Sequence, residues 1–104
     1  MDAFNAIAEM KRRRVLEALR GNESSVSEIV AILNWPQPQV SKHLGVLRKV
    51  GLVGVRRDGR RKLYRVHAER LKPIYDWAAS FEAYWQDQLD RIKKLAESKV
   101  KTKP

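Results

Sequence analysis

Between Leu71 and Leu95 the chain places Ile74, Ala78, Phe81, Trp85, Gln88 and Ile92 at alternating steps of three and four residues. Side chains so spaced lie along one stripe of an α-helix. The spacing predicts a single long helix from Ala68 or Leu71 to Ser98, its seam interrupted by one polar residue, Gln88. Tyr75, Trp77, Tyr84 and Leu89 broaden the stripe. A chain of 104 residues builds one core of modest size and cannot easily cover that much apolar surface alone. Part of the stripe is expected to pack within the chain. The rest, aromatic-rich as interface centres are, is expected to pack against a second copy.

Four shorter helices and a hairpin precede it. Phe4, Ile7 and Ala8 form a short apolar stripe with Asp2 placed as its cap. A second helix is expected from Glu9 to Arg20, with Val15, Leu16 and Leu19 inward and Gly21-Asn22 as its stop. Ser25 with Glu28 three residues on has capping-box spacing, ahead of Val26, Ile29, Val30 and Leu33 on one face. Asn34-Trp35-Pro36-Gln37-Pro38 breaks that helix and opens another, because a helix's first turn has no use for the N–H that proline lacks.

From Gln37 to Val50 the inward stripe is Val40, Leu44 and Leu47, while Gln39, Lys42, Gly45 and Lys49 point away from it. Gly51 ends this helix. Leu52–Arg57 and Arg60–His67 then read as two strands around an Asp58-Gly59 turn. The fold class is therefore mainly α with a small β-hairpin, about five helices plus a two-stranded ribbon. Residues 1–98 are expected to form a single domain and 99–104 a basic disordered tail.

The charge is unevenly placed. Lys and Arg number 22 against 12 Asp and Glu, a formal net charge of +10. From Lys42 to Arg65 there are nine positive residues and one negative, Asp58, whereas Glu69–Glu97 carries five positive and six negative. A merely solvated surface would mix the signs, so the middle of the chain is expected to dock phosphates. No apolar run approaches the roughly 20 residues that span a bilayer, so no membrane role is expected. Met1-Asp2-Ala3-Phe4 does not resemble the start of a secretory leader, and the expected location is cytoplasmic. With no cysteine, thiolate metal sites and a cysteine nucleophile are excluded. Nothing in the sequence suggests a Gly-rich phosphate loop, a Ser–His–Asp arrangement or a cofactor site, so neither an enzyme nor a cofactor is expected.

The order of these elements puts a helix–turn–helix at Val26–Val50, followed by a basic wing. Ser25-Val26-Ser27-Glu28-Ile29, Gln39-Val40-Ser41-Lys42-His43-Leu44, Val46-Leu47-Arg48-Lys49-Val50-Gly51-Leu52-Val53 and the wing Arg56-Arg57-Asp58-Gly59-Arg60 with Leu63-Tyr64-Arg65-Val66 carry a resemblance. In these residues the chain resembles the ArsR/SmtB family of winged helix–turn–helix transcriptional repressors. The resemblance implies a homodimer that uses its first and last helices to associate and binds an imperfect inverted repeat in double-stranded operator DNA. It also implies release by a signal. The family's cysteine metal site has no counterpart in Ser27–Ile32, and the last helix has no histidine. His43 and His67 alone are too few for a four-ligand site, so metal sensing is not expected.

Within that family pattern the recognition helix spans about 37–50 and the wing 52–67. Gln39 and Ser41 are the candidates for base edges, since Gln suits adenine bidentately and Ser serves base or phosphate. Gln37 is a further candidate, Lys42 suits a phosphate, and His43 suits either DNA contact or packing. Arg48 fits a backbone clamp. Arg57, Arg60, Arg61 and Lys62 fit phosphates or a narrow minor groove. Arg12-Arg13-Arg14 reads as a solvated face with phosphate contact as the lesser option. Phe4, Ile7, Ile74, Ala78, Phe81, Trp85, Gln88 and Ile92 are the candidate dimer contacts. The competing reading is a non-specific architectural DNA-binding protein, which the same basic wing would serve, because phosphate contacts carry no sequence information.

Overall fold

Asp2 and Asn5 close a reciprocal cap ahead of α1 (Ala3–Ile7), Asn5 N–H donating to Asp2 Oδ1 at 2.9 Å and Asp2 N–H to Asn5 Oδ1 at 3.2 Å. The structure, a computed structural model, describes residues 1–101, with side chains through residue 98. The last carbonyls of α1 would have no helical partner. Two guanidinium groups from α2 (Met10–Ala18) serve them: Arg12 Nε donates to Ala6 O at 2.6 Å and Arg13 Nη1 to Ile7 O at 2.5 Å. Two members of the Arg12-Arg13-Arg14 run thus act inside the fold.

α3 (Val26–Leu33) starts on the Ser25–Glu28 box, with Glu28 N–H donating to Ser25 Oγ at 3.2 Å and Ser25 N–H to Glu28 Oε1 at 3.0 Å. It ends at Asn34, which takes the left-handed conformation at φ 56°. α4 (Gln37–Lys49) begins at Pro36 with Pro38 in its first turn. Val15, Leu19, Ile29, Val40, Leu44 and Leu47 from these helices and their ends are buried together with Leu52 and Val53. Burial of each such aliphatic side chain stabilises the fold by about 1.5–3 kcal/mol. The inward and outward faces of α4 are thereby settled: one carries the core, the other is left for solvent or a partner.

The wing is an antiparallel pair, β1 (Val53–Asp58) and β2 (Arg61–Val66). Ser24 adds a one-residue bridge to the outer edge of β2, its N–H donating to Tyr64 O at 3.0 Å and Tyr64 N–H to Ser24 O at 2.8 Å. Asp58 pairs with Arg61, so the turn consists of Gly59 and Arg60 and not of Asp58-Gly59. Gly59 has φ +65°, and Asn34 is the sole non-glycine with positive φ among the described residues. A positive φ at the first central position only, filled by glycine, is the type II′ pattern. The physical reason is the pairing. With Asp58-Gly59 at the centre, Val55 would face Lys62; in the observed register Val55 faces Tyr64 and Val53 faces Val66. Apolar cross-strand pairs outweigh the local preference of Asp-Gly.

Met1–Pro73 forms one compact unit, and the described residues from Ile74 form another. The expected single long helix is instead a 3₁₀ turn (Ala68–Leu71), α5 (Lys72–Ala79) and α6 (Glu82–Lys101), giving six α-helices among the described residues where about five were expected. The break falls at Ser80-Phe81. Ser80 Oγ donates to Trp77 O at 2.5 Å, and Phe81 N–H bonds to Ala78 O, three residues back, at 3.1 Å. A serine hydroxyl competing for a helix carbonyl is a recognised way to interrupt the ladder. Of the expected tail, residues 99–101 continue α6, and 102–104 lie outside the described residues. No helix among the described residues is long and apolar enough to cross a membrane.

Candidate nucleic-acid interface

α4 presents its candidates unequally. Gln37, Lys42, Arg48 and Lys49 are exposed, and Gln39 and Ser41 are half-buried. His43 is turned inward: it is 5% exposed, and its ring meets Trp35 edge-on with centroids 6.5 Å apart. His43 is thus in a packing position, because the residue sits on the margin of the Val40–Leu44–Leu47 stripe and the fold draws that margin in. Burial, with Arg12 and Lys42 adding to it, pushes the His43 pKa below the usual histidine value. Nδ1 has no hydrogen-bond partner among the described residues.

The wing sorts its cations by face. Directly opposed residues of an antiparallel pair share a face, and neighbours along a strand alternate. Arg56, Asp58, Arg61 and Leu63 therefore lie on one side, and Val55, Arg57, Lys62 and Tyr64 on the other. On the first side both arginines are neutralised. Arg56 grips Glu23 with both ends of its fork, Nε to Oε2 at 2.7 Å and Nη2 to Oε1 at 2.9 Å. Arg61 Nη2 donates to Glu28 Oε1 at 2.5 Å. That same oxygen accepts the Ser25 N–H, so one carboxylate both caps α3 and holds the wing.

The electrostatics agree with the geometry. Hydrogen bonding to Arg56 holds the Glu23 carboxyl below the ordinary range. The Ser25 N–H and hydroxyl, with Arg61 adding to them, do the same for Glu28. No carboxylate lies within ion-pair distance of Arg57, Arg60, Lys62, Lys42, Arg48 or Lys49 among the described residues. Of the wing candidates, then, Arg61 is tied to the body and Arg57, Arg60 and Lys62 are not. Glu23 and Arg56, absent from the sequence candidates, complete the wing's attachment. Only the capping spacing of Glu28 hinted at any of this.

The second unit presents an apolar surface. Phe81, Trp85, Ile92 and Leu95 are 44–63% exposed, with Tyr75, Trp77, Tyr84 and Leu89 similarly open. Ile74, Ala78 and Gln88 are half-buried. In the first unit Phe4 is 40% exposed, and Ile7 is half-buried against the core. No three His, Cys, Asp or Glu side chains group as metal ligands would among the described residues.

Residues 10–55, from α2 into the first strand of the wing, match the arsR family of bacterial regulatory proteins. The chain is 36% identical over 74 residues to the HTH-type transcriptional regulator KmtR of Mycobacterium tuberculosis, covering 71% of this chain and 57% of KmtR. It thus spans little more than half of that relative's length. It is 26% identical over 80 residues to the transcriptional repressor SdpR of Bacillus subtilis, covering 77% of this chain and 89% of SdpR. Among solved structures, a possible transcriptional regulator for arsenical resistance superposes with a TM-score of 0.66 at 34% identity, covering 90% of this chain and 95% of that one. A homodimeric winged helix–turn–helix DNA-binding domain from Mycobacterium bovis superposes with a TM-score of 0.61 at 29% identity, covering 76% of each chain.

Proposed function

The chain belongs to the arsR family of bacterial regulatory proteins, a family of transcription regulators and not of enzymes, and from that premise we propose that it represses transcription as a homodimer on operator DNA. In this reading each α4 enters a major groove, and each wing lies on the backbone or in the adjacent minor groove of an imperfect inverted repeat. The observation that carries it is the sorting of the wing's charges. Arg56 and Arg61 are neutralised by Glu23 and Glu28, while Arg57, Arg60 and Lys62 have no carboxylate within ion-pair distance among the described residues. Unneutralised cations on a hairpin tip serve a partner better than they serve folding, and phosphate is the partner that suits them.

Roles follow from position. Gln39 and Ser41 read base edges, with Gln37 beside them at the start of the helix. Lys42, Arg48, Arg57, Arg60 and Lys62 take the backbone, whereas Arg61 aims the wing through Glu28. Phe4, Ile7, Ile74, Ala78, Phe81, Trp85, Gln88 and Ile92 offer contacts to a second copy. Aromatic and aliphatic exposure on that scale exceeds what a lone small domain ordinarily shows to water.

The test is to select duplexes from a random pool and to compare affinity for the best of them with affinity for random DNA at one salt concentration. The expected ratio is about 10³ or more, with two chains bound per duplex and half-site centres roughly 34–36 Å apart. Equal affinity for both duplexes would make the chain an architectural DNA binder instead.

A further inference from the structure

Gly45 stands in the middle of α4, where a Cβ built on it would meet nothing within 4 Å. Neither packing nor backbone conformation asks for glycine here: the described glycines with positive φ are Gly21, Gly51 and Gly59. A helix interior prefers alanine, because glycine surrenders more conformational freedom on folding. Around this position Lys42, Gly45, Val46, Arg48 and Lys49 line a shallow depression, which a side chain at 45 would enter. Lys42, Gly45 and Lys49 share the helix face opposite the buried Val40, Leu44 and Leu47. The three cations of the rim have no carboxylate within ion-pair distance among the described residues.

We infer that this notch seats the sugar–phosphate backbone of duplex DNA, Gly45 letting the helix approach the strand closely while Lys42 and Lys49 straddle a phosphodiester. The inference rests on the DNA-binding reading and goes beyond it by assigning Gly45 a positioning role. The chemistry of the rim favours phosphate over a base edge. A lysine ammonium is a compact, strongly hydrated point charge that suits a phosphate oxygen, and glycine offers no side chain to read a base. A contact of this kind sets how deep the helix sits and carries no sequence preference.

The test is Gly45→Ala in the full chain, read by thermal unfolding and by binding to two duplexes of about three helical turns, one selected from a random pool and one of random sequence. The expected result has opposite signs: Tm rises by about 4 °C, since alanine is the better helix former. Affinity for both duplexes falls about tenfold with their ratio unchanged, the methyl group holding the helix off the strand. In addition, Lys42→Gln and Lys49→Gln each flatten the dependence of log affinity on log salt by about 1.

A higher Tm with unchanged affinity for both duplexes overturns the notch. So does a loss confined to the selected duplex, which would make Gly45 part of base reading, and so does a fall in Tm, which would mean the space is not empty. Unchanged salt slopes in the lysine variants overturn the straddling. If the unmodified chain binds neither duplex, the DNA-binding reading fails first and the notch falls with it, a result visible before any variant is made.

Discussion

Arg57 and Lys62 face one another directly across the wing as a pair of like charges, on the side of the hairpin away from Arg56 and Arg61. Like charges at directly opposed positions weaken a strand pair. The two cations on the other side have carboxylate partners, so the hairpin has relieved repulsion on one face and left it on the other. Arg57→Gln and Lys62→Gln are therefore expected to leave thermal stability unchanged or slightly raised. Each is expected to reduce the salt slope of DNA binding by about 1, uniformly across sequences. Unfolding curves and a salt titration on random duplex check both halves.

Glu23 and Glu28 make the attachment of the wing acid-sensitive. Both carboxyls are held below the 4.5 of a free glutamate. A carboxyl whose folded pKa is lowered contributes stability that is present above its unfolded value and lost as pH falls through the folded one. Stability is thus expected to drop on acidification below about pH 4.5, and to drop less steeply in Glu23→Gln/Glu28→Gln. Urea midpoints measured from neutrality downward follow the difference.

His43 acts at a higher pH. Its folded pKa lies below the ordinary 6.5, so well above that value both states are largely unprotonated and the residue adds little slope. As pH falls below 6.5 the unfolded chain takes up a proton that the folded chain resists, and stability declines. His43→Leu removes both this slope and a buried ring nitrogen that lacks a partner. The variant is expected to fold, to lose its part of the decline between neutrality and acid, and to bind the selected duplex as before. A loss of affinity for that duplex would make His43 a DNA contact.

Gln39→Ala is expected to cost about 1–3 kcal/mol on the selected duplex and to relax discrimination at one base position. Equal loss on selected and random duplexes would show that Gln39 does not read a base. A panel of single-base substitutions in the duplex, titrated against both proteins, measures it.

Trp85→Glu tests the second unit. Trp85 is 45% exposed, and residues 74 to 98 are all half-buried or exposed. The buried core cluster of the first unit runs from Ala6 to Val53. The variant is expected to sediment as a monomer while keeping the helical signal and cooperative unfolding of the first unit. Its DNA affinity is expected to fall as the second half-site contact is lost. Sedimentation velocity at several concentrations reads the assembly directly.

The sequence alone determined what short-range physics controls. The caps at Asp2 and at Ser25–Glu28, the stop at Asn34, the buried stripe of α4 and the presence of a hairpin all rest on residues within a turn or so of each other. At that range spacing is the geometry. Tertiary structure decided the rest. Glu23 with Arg56 and Glu28 with Arg61 are each 33 residues apart, a separation at which spacing says nothing about proximity. The register of the wing was decided by Val53, Val55, Tyr64 and Val66 acting across two strands, against the local preference of Asp58-Gly59. His43 is buried where the fold draws in the margin of the α4 stripe and brings Trp35 edge-on to it, and Arg12 and Arg13 turn to the carbonyls of α1 because α2 packs beside it. Even the apolar seam that predicted one long helix is divided at Ser80-Phe81, where a hydroxyl competes with the backbone for a carbonyl. Periodicity reports which side chains want to be together. It does not report which polar groups will find a partner once they are, and that decides which charges remain for DNA.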